Sequence, residues 1–180
     1  MYNINYNNAE SRVSKVLFEN PTRKFYIREL ARLTNLNPNT ILNITRKLQL
    51  QNLIKINKKQ HIKEIVSDIE NPDFTKLKRI FNLFSIVNSG LVDFLIKEYS
   101  PKAISLIGSY SKGEDIEKSD IDLVVISNRE KAIDLSKFEK VLSRKIQLIV
   151  TGYKKMSEEF YINLINGIVL YGYINKNETI

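Results

Sequence analysis

The chain has 180 residues, of which 43% are apolar and 27% charged, and its formal net charge is +8. This length is enough for one medium domain or two small ones. Cysteine is absent and histidine occurs once, at His61, which excludes disulfides, thiolate metal sites and histidine-rich zinc or copper sites. Any metal must therefore be held mainly by oxygen ligands, which favours Mg²⁺ or Mn²⁺.

The positive charge is concentrated in the N-terminal part. Residues 1–70 hold 12 basic and 6 acidic side chains, whereas residues 71–180 hold 16 and 14. Because Lys and Arg release counterions when they neutralise phosphates, this excess indicates a polyanionic partner, although a basic surface that serves only solubility gives the same count. The first residues lack the basic start and apolar core of a signal peptide, and no apolar run approaches the ~18 uncharged residues of a membrane span. We therefore expect a cytoplasmic protein with no membrane partner.

Residues 1–70 show helix and strand signals in a regular order. Asn37 is a good N-cap and Pro38 a good first helical residue, and a basic turn over residues 57–60 separates two alternating strands. The expected elements are a helix at 11–18, a short strand at 24–27, a short helix at 28–34, a helix at 39–50, and strands at 53–56 and 61–66. This order predicts a winged helix-turn-helix domain.

The helix over residues 39–50 is the expected recognition helix of that domain. Its polar face offers side chains that can read base edges in a major groove: Asn39, Thr40, Asn43, Arg46 and Lys47. Lys58 and Lys59, with Gln60 and His61, would meet phosphates or the minor groove at the wing tip. Such a domain can also serve as a protein–protein or dimerisation module, but the local charge favours double-stranded DNA.

Residues 71–100 form the expected connection between two domains. A long amphipathic helix over residues 74–98 is predicted, with an interruption at Asn88-Ser89-Gly90 because Asn and Gly are poor in helix interiors. Its apolar positions are Leu77, Ile80, Phe81, Phe84, Leu91, Phe94 and Leu95. The apolar face can pack the domains together, form the seam of a homodimer or belong to a core.

Residues 101–180 alternate between strand and helix signals. Strands are expected at 103–107, 121–126, 146–150 and, at the edge, 168–174, with helices at 135–142 and 157–165. Gly167 is the expected C-cap of the last helix. The alternation predicts an α/β or α+β sheet domain.

One motif in this domain carries chemistry. The first strand runs into Gly108-Ser109, ten residues follow, and Asp120-Ile121-Asp122 opens the second strand. Gly108 allows close approach of backbone to a phosphate, and Ser109 can donate its hydroxyl and amide at the start of a short helix. Asp120 and Asp122 lie two apart on a strand, so they share a face, and their mutual repulsion favours a bound divalent metal. Taken singly, each half has a plain alternative, an ordinary turn or solvated aspartates.

Gly-Ser, ten residues and Asp-x-Asp resemble the signature of the minimal nucleotidyltransferases of the DNA polymerase beta-like superfamily. The resemblance covers about residues 102–172, and the whole chain looks like archaeal proteins that place a winged helix ahead of such a domain. It implies an α+β fold with a mixed sheet flanked by helices, and transfer of NMP from an NTP such as ATP to a hydroxyl. It also implies that Ser109, with Gly108, contacts phosphate and that Asp120 and Asp122 bind Mg²⁺ or Mn²⁺. Lys112 can reach a triphosphate or stay in solvent, and Tyr110 can stack or pack.

One departure from the superfamily pattern concerns catalysis. Active members often carry a third carboxylate on a later strand, where this chain has Gln147, which can neither bear the charge nor take the proton. Weak catalysis, a base from the substrate or a partner, and a site that binds without turnover are all compatible with it. Three hypotheses follow: a Mg²⁺-dependent nucleotidyltransferase with a DNA-binding module, a DNA-binding regulator that senses nucleotide, and one member of a toxin–antitoxin pair.

Overall fold

The computed structural model describes residues 8–59, 62–129 and 131–175, without the side chains of residues 58, 59 and 62. The chain folds into two compact units, and the division falls between Phe81 and Asn82. This division lies inside the segment that was predicted to connect two domains. Together the two units contain helices, an antiparallel sheet and a mixed sheet, which is an α+β architecture.

The first unit consists of helices packed against a three-stranded antiparallel sheet of order β1-β3-β2. Asn8 caps the first helix and Asn37 caps the third, each through a side-chain oxygen that accepts a backbone N–H. Its core is continuous across all three helices and the sheet, and Phe18 stacks at a tilt on Phe74 and Phe81. The elements are α1 (Ala9–Glu19), β1 (Phe25–Tyr26), α2 (Ile27–Thr34), α3 (Pro38–Leu50), β2 (Ile54–Lys59), β3 (Ile62–Ser67) and the start of α4 (Pro72–Asn88).

The second unit is built on a four-stranded mixed sheet of order β6-β5-β4-β7. β4 pairs antiparallel with β5 and β7, whereas β5 and β6 are parallel. Apolar clusters lie on both faces of this sheet. The remaining elements are α5 (Leu91–Tyr99), β4 (Ala103–Ile107), α6 (Gly108–Lys112), β5 (Ile121–Ile126), α7 (Ser136–Leu142), β6 (Ile146–Thr151), a 3₁₀ turn (Tyr153–Lys155), α8 (Glu158–Ile165) and β7 (Ile168–Gly172).

The long helix expected from residue 74 is interrupted where the sequence indicated. α4 ends at Asn88 and α5 begins at Leu91, with Gly90 between them in the left-handed region at φ 75°. Two of its predicted apolar positions, Leu77 and Ile80, are exposed instead of packed. Among the described residues, no single helix has the length and hydropathy of a membrane span; α4 and α5 reach them only as a pair, across a bend of 53°.

The expectation that Gly167 caps the last helix is wrong. Asn166 is the C-cap of α8, in a right-handed conformation, and its N–H bonds to the carbonyls of Ile162 and Leu164. Gly167 is required for a different reason, since a Cβ there would lie 2.6 Å from the Leu106 carbonyl oxygen. This close approach lets the chain turn from α8 directly into the edge strand β7.

Candidate active site

The Gly-Ser motif and the Asp-x-Asp motif meet at one end of β4 and β5, the two inner strands of the mixed sheet. Ile107, the last residue of β4, pairs with Asp122 of β5, so Gly108 lies beside that carboxylate. On the other side of β5, the parallel strand β6 places Gln147 in register with Asp122. Because residues paired in register point to the same face, Asp122 and Gln147 share a face. This end of the sheet therefore carries Gly108 directly after β4, Asp122 on β5 and Gln147 on β6.

Gly108 cannot be replaced by a larger residue without moving Asp122. Its φ of 69° lies in the left-handed region, and a Cβ on it would overlap Oδ2 of Asp122 and lie 3.2 Å from Cγ. The missing side chain therefore leaves the space that the Asp122 carboxylate occupies. The carboxylate and the start of α6 are brought together by this contact.

The two aspartates differ in their surroundings. Asp120 is exposed, whereas Asp122 is partly buried. Burial raises the pKa of Asp122, and the nearby charge of Asp120 raises it further. The ionised form of Asp122 is therefore unfavourable, and a bound cation would stabilise it.

A magnesium ion fits this donor set. Mg²⁺ in proteins often uses one or two carboxylates and completes its shell with water and substrate phosphates. Within residues 8–59, 62–129 and 131–175, no group of three or more His, Asp or Glu side chains converges as a larger metal site. Two carboxylates would supply oxygen donors to such an ion. One is Asp122, whose carboxylate occupies the space over Gly108, and the other is the exposed Asp120.

The helix that carries Ser109 is fixed by a buried polar cluster that the sequence did not reveal. Asn82 donates from Nδ2 to the Tyr110 carbonyl at 2.9 Å and to Oδ1 of Asp115 at 2.7 Å. Arg144 lies 3.7 Å from Asp115 Oδ2, and both side chains are buried. These partners are far apart in sequence, so no local pattern connects them. They hold α6, the loop before Asp120 and the start of β6 in one arrangement.

The remaining residues of the motif divide between interior and surface. Tyr110 is 4% exposed and packs in a core of the second unit, so packing is its role. Ser109 is half-buried beside Gly108, and Lys112 is exposed at the end of α6. Ser111 donates from Oγ to the Gly108 carbonyl at 2.7 Å, which tightens this short turn.

A pocket of about 500 Å³, lined by charged residues and serines, lies next to Asp120 on the side of β5 that faces β6. Its walls come from the loop that precedes β5, from α7 and from the turn that leads into β6. Lys145 in this turn bonds to Glu139 Oε2 at 3.1 Å, and the Ile146 N–H bonds to Glu139 Oε1. These bonds lower the pKa of Glu139, the backbone bond being the larger cause.

The residues predicted to contact DNA all belong to the first unit, five of them on α3 and two at the end of β2. Asn39, Asn43, Arg46 and Lys47 are exposed on α3, and Thr40 is half-buried there. Lys47 is bonded to Glu10 at 2.6 Å. Lys58 and Lys59 stand at the end of β2, but their side chains, like Gln60 and His61, lie outside the described residues.

Comparison with known families agrees with the site geometry. Residues 89–171 match the family model described as a nucleotidyltransferase domain. The matched range runs from the turn before α5 into β7 and includes Gly108, Asp120, Asp122 and Gln147. No curated protein and no solved structure matched the chain. This match supports a nucleotidyltransferase domain in this part of the chain, and with it transfer of a nucleotidyl group in general.

Proposed function

We propose that the chain is a Mg²⁺-dependent nucleotidyltransferase that moves NMP from an NTP, preferably ATP, to a hydroxyl acceptor. The observation that carries the proposal is the contact between the Gly-Ser turn and the Asp-x-Asp strand: Gly108 leaves room for Asp122 beside Ser109. A phosphate-binding turn and a metal-binding carboxylate pair at one sheet edge are the two requirements of phosphoryl transfer by positioning and charge neutralisation.

The proposed roles follow from position. Ser109 and the backbone of Gly108 bind phosphate oxygens, Lys112 approaches the triphosphate from the end of α6, and Asp120 and Asp122 hold the metal. A bound Mg²⁺ supplies positive charge to the triphosphate oxygens as the α-phosphorus is attacked. The acceptor oxygen bonds to the α-phosphorus, the bond to the bridging oxygen breaks, and pyrophosphate leaves with those electrons.

The acceptor hydroxyl must lose its proton to a base, and Gln147 cannot act as that base. An amide neither carries charge nor takes a proton at neutral pH. We therefore propose slow turnover, or a base that the acceptor or a partner brings. A DNA-binding regulator that holds nucleotide without turnover is the alternative function, and Gln147 in register with Asp122 is the observation that favours it. One member of a toxin–antitoxin pair is a third hypothesis, in which the acceptor is a partner protein.

We further propose that the first unit is a winged helix-turn-helix that binds double-stranded DNA. The order helix, short strand, helix, helix and two-stranded hairpin supports this, as does the capped start of α3 after the turn at residues 35–37. The exposed polar side chains of α3 and the basic excess of residues 1–70 fit a phosphate-rich groove. We also propose that the protein is cytoplasmic. A homodimer through α4 is proposed as well, and the exposed side chains of Leu77 and Ile80 on that helix support it.

Binding to a mixed-sequence DNA duplex is expected to weaken steeply with salt, because released counterions drive it. Replacing Arg46 by alanine should weaken it further and, if Arg46 contacts phosphate, reduce the salt slope by about one. Arg79→Ala, which removes an exposed arginine of α4, is the matched control and should bind as the wild type does. Fluorescence anisotropy at several salt concentrations measures both effects. Absence of binding even at low salt would make the first unit a protein-interaction module instead.

The proposed transfer is tested by incubating the protein with Mg²⁺, ATP and a panel of hydroxyl acceptors. Pyrophosphate release in step with labelling of one acceptor is the expected result. ATP that stays intact with every acceptor, while binding with Mg²⁺, would favour the regulator.

A further inference from the structure

A second glycine lies against the strand end that carries the phosphate-binding turn. Ile107, the last residue of β4, pairs with Asp122 of β5 on one side, whereas the pairing of β4 with β7 on the other side stops at Leu106. In that antiparallel register the next residue opposite Ile107 is Gly167, and a Cβ on Gly167 would lie 2.8 Å from Cγ2 of Ile107. The last pair of β4 and β5 therefore lies between two missing side chains, those of Gly167 and Gly108.

The space at Gly167 is limited by backbone as well as by side chains. The same Cβ would lie 2.6 Å from the carbonyl oxygen of Leu106 and 2.9 Å from Oγ of Ser105. A flexible side chain can move aside, but the Leu106 carbonyl can move only together with β4. The φ of Gly167 lies outside the left-handed region, so the close approach and not the backbone conformation requires glycine here.

Ser105 bonds the turn between α8 and β7 to β4. It is fully buried and carries the single polar side chain of a strand that is otherwise apolar. Its hydroxyl donates to the carbonyls of Leu164, in the last turn of α8, at 3.4 Å and of Ile168, the first residue of β7, at 3.3 Å. Because a buried hydroxyl is unfavourable without such partners, these bonds hold the turn against the end of β4.

We propose that Gly167 and Ser105 are positioning residues, which set where the phosphate-binding turn lies relative to Asp122. The inference rests on the nucleotide and metal binding proposed above for this end of the sheet. Residues 164–168 contact the end of β4 on one side, and β5 pairs with it on the other. Gly108 follows directly, and its own missing side chain leaves the space that the Asp122 carboxylate occupies. A displacement of this strand end would therefore change the separation between the turn and the metal-binding carboxylate.

Mg²⁺-dependent ATP binding by the full chain tests the proposal through Gly167→Ala. The added methyl group must displace either the turn or the end of β4, so the affinity should fall about tenfold or more, as misplacements of about 1 Å can cost 10²-fold in catalysis. Gly152→Ala is the matched control. A Cβ there also makes a tight contact, 3.0 Å from Oδ1 of Asn128, but it follows β6 at the opposite end of the sheet. This control should bind ATP with Mg²⁺ as the wild type does.

Amide signals in NMR spectra of the nucleotide-free protein separate positioning from a loss of stability alone. In Gly167→Ala the amide signals of Gly108 and Asp122 should shift, because both residues contact the end of β4. In Gly152→Ala they should stay where they are in the wild type. Ser105→Ala removes only the hydroxyl and adds no bulk, so it serves where Gly167→Ala does not fold. It should shift the same signals and weaken ATP binding about three- to tenfold.

Three results would overturn the positioning role. The first is ATP binding as in the wild type by Gly167→Ala, or by Ser105→Ala where the glycine variant does not fold. The second is an equal loss of affinity in Gly152→Ala, and the third is a set of amide shifts confined to residues 164–168. If the wild type itself does not bind ATP with Mg²⁺, the proposed function is contradicted, and the amide shifts still decide whether these residues position the turn.

Discussion

Replacing Asp122 by asparagine is expected to weaken Mg²⁺-dependent ATP binding and to raise the melting temperature of the metal-free protein. Loss of a direct ligand should weaken it by about 100-fold or more, since loss of outer-shell partners alone costs 10–100-fold. Stability should rise because burial and Asp120 raise the pKa of Asp122. A raised carboxyl pKa means that this group's contribution to stability is present at low pH and is lost as pH rises through the raised pKa. Asparagine removes the unfavourable charge at neutral pH.

A carboxylate with the opposite shift is the control. Hydrogen bonds from the Ser136 backbone and hydroxyl lower the pKa of Asp134, so its ionised form stabilises the fold above its ordinary pKa. Asp134→Asn should therefore lower the melting temperature slightly and leave Mg²⁺-dependent ATP binding intact. Calorimetry and thermal melts, with and without Mg²⁺, measure both properties. If Asp122→Asn melts lower than wild type and still binds ATP only with Mg²⁺, Asp122 is a structural residue.

Replacing Gln147 by glutamate is expected to increase the rate of nucleotidyl transfer. The substitution keeps the length of the side chain and adds a third carboxylate in register with Asp122. A positioned general base contributes about 10²–10⁴-fold, so even an imperfectly placed one should raise kcat about tenfold or more. The added charge should also lower the stability of the metal-free protein at neutral pH, and Mg²⁺ should restore it.

Gln147→Met is the matched variant, because it has a similar length without the charge. It should leave both the transfer rate and the Mg²⁺ dependence of stability near those of the wild type. The measurements are pyrophosphate release against pH and thermal melts against Mg²⁺ concentration. A glutamate variant that binds Mg²⁺ more tightly but transfers no faster would show that Gln147 does not stand where the base belongs.

Local signals predicted much of the fold. β5 begins and ends at the predicted residues, Ile121 and Ile126. A short, mainly apolar run between a polar loop and a serine predicts a buried strand with these bounds. Pro38 begins α3 and Gly90 separates α4 from α5, since each residue restricts or frees its own backbone. The Gly-Ser and Asp-x-Asp motifs were visible for the same reason, as short patterns beside apolar strands.

What the sequence could not predict depends on contacts between distant segments. Asn82 and Asp115 are 33 residues apart and meet only after the second unit has folded. The role of Gly167 is likewise nonlocal, because the constraint is the Leu106 carbonyl and not the end of its own helix. The exposure of Leu77 and Ile80 could not be predicted from periodicity. Periodicity shows which residues share one face of a helix, but not whether another part of the protein covers that face. The pocket next to Asp120 joins the loop before β5 to α7, and no sequence motif predicts this contact.

The central claim, that the protein transfers a nucleotidyl group, is tested most directly by determining which phosphate bond of ATP is cleaved. The protein is incubated with Mg²⁺ and acceptor, once with ATP labelled at the α-phosphate and once with ATP labelled at the γ-phosphate. Nucleotidyl transfer predicts that the α-label appears on the acceptor and the γ-label in pyrophosphate. Neither labelled product should form without Mg²⁺. Appearance of the γ-label on the acceptor, or as free phosphate, would contradict the account.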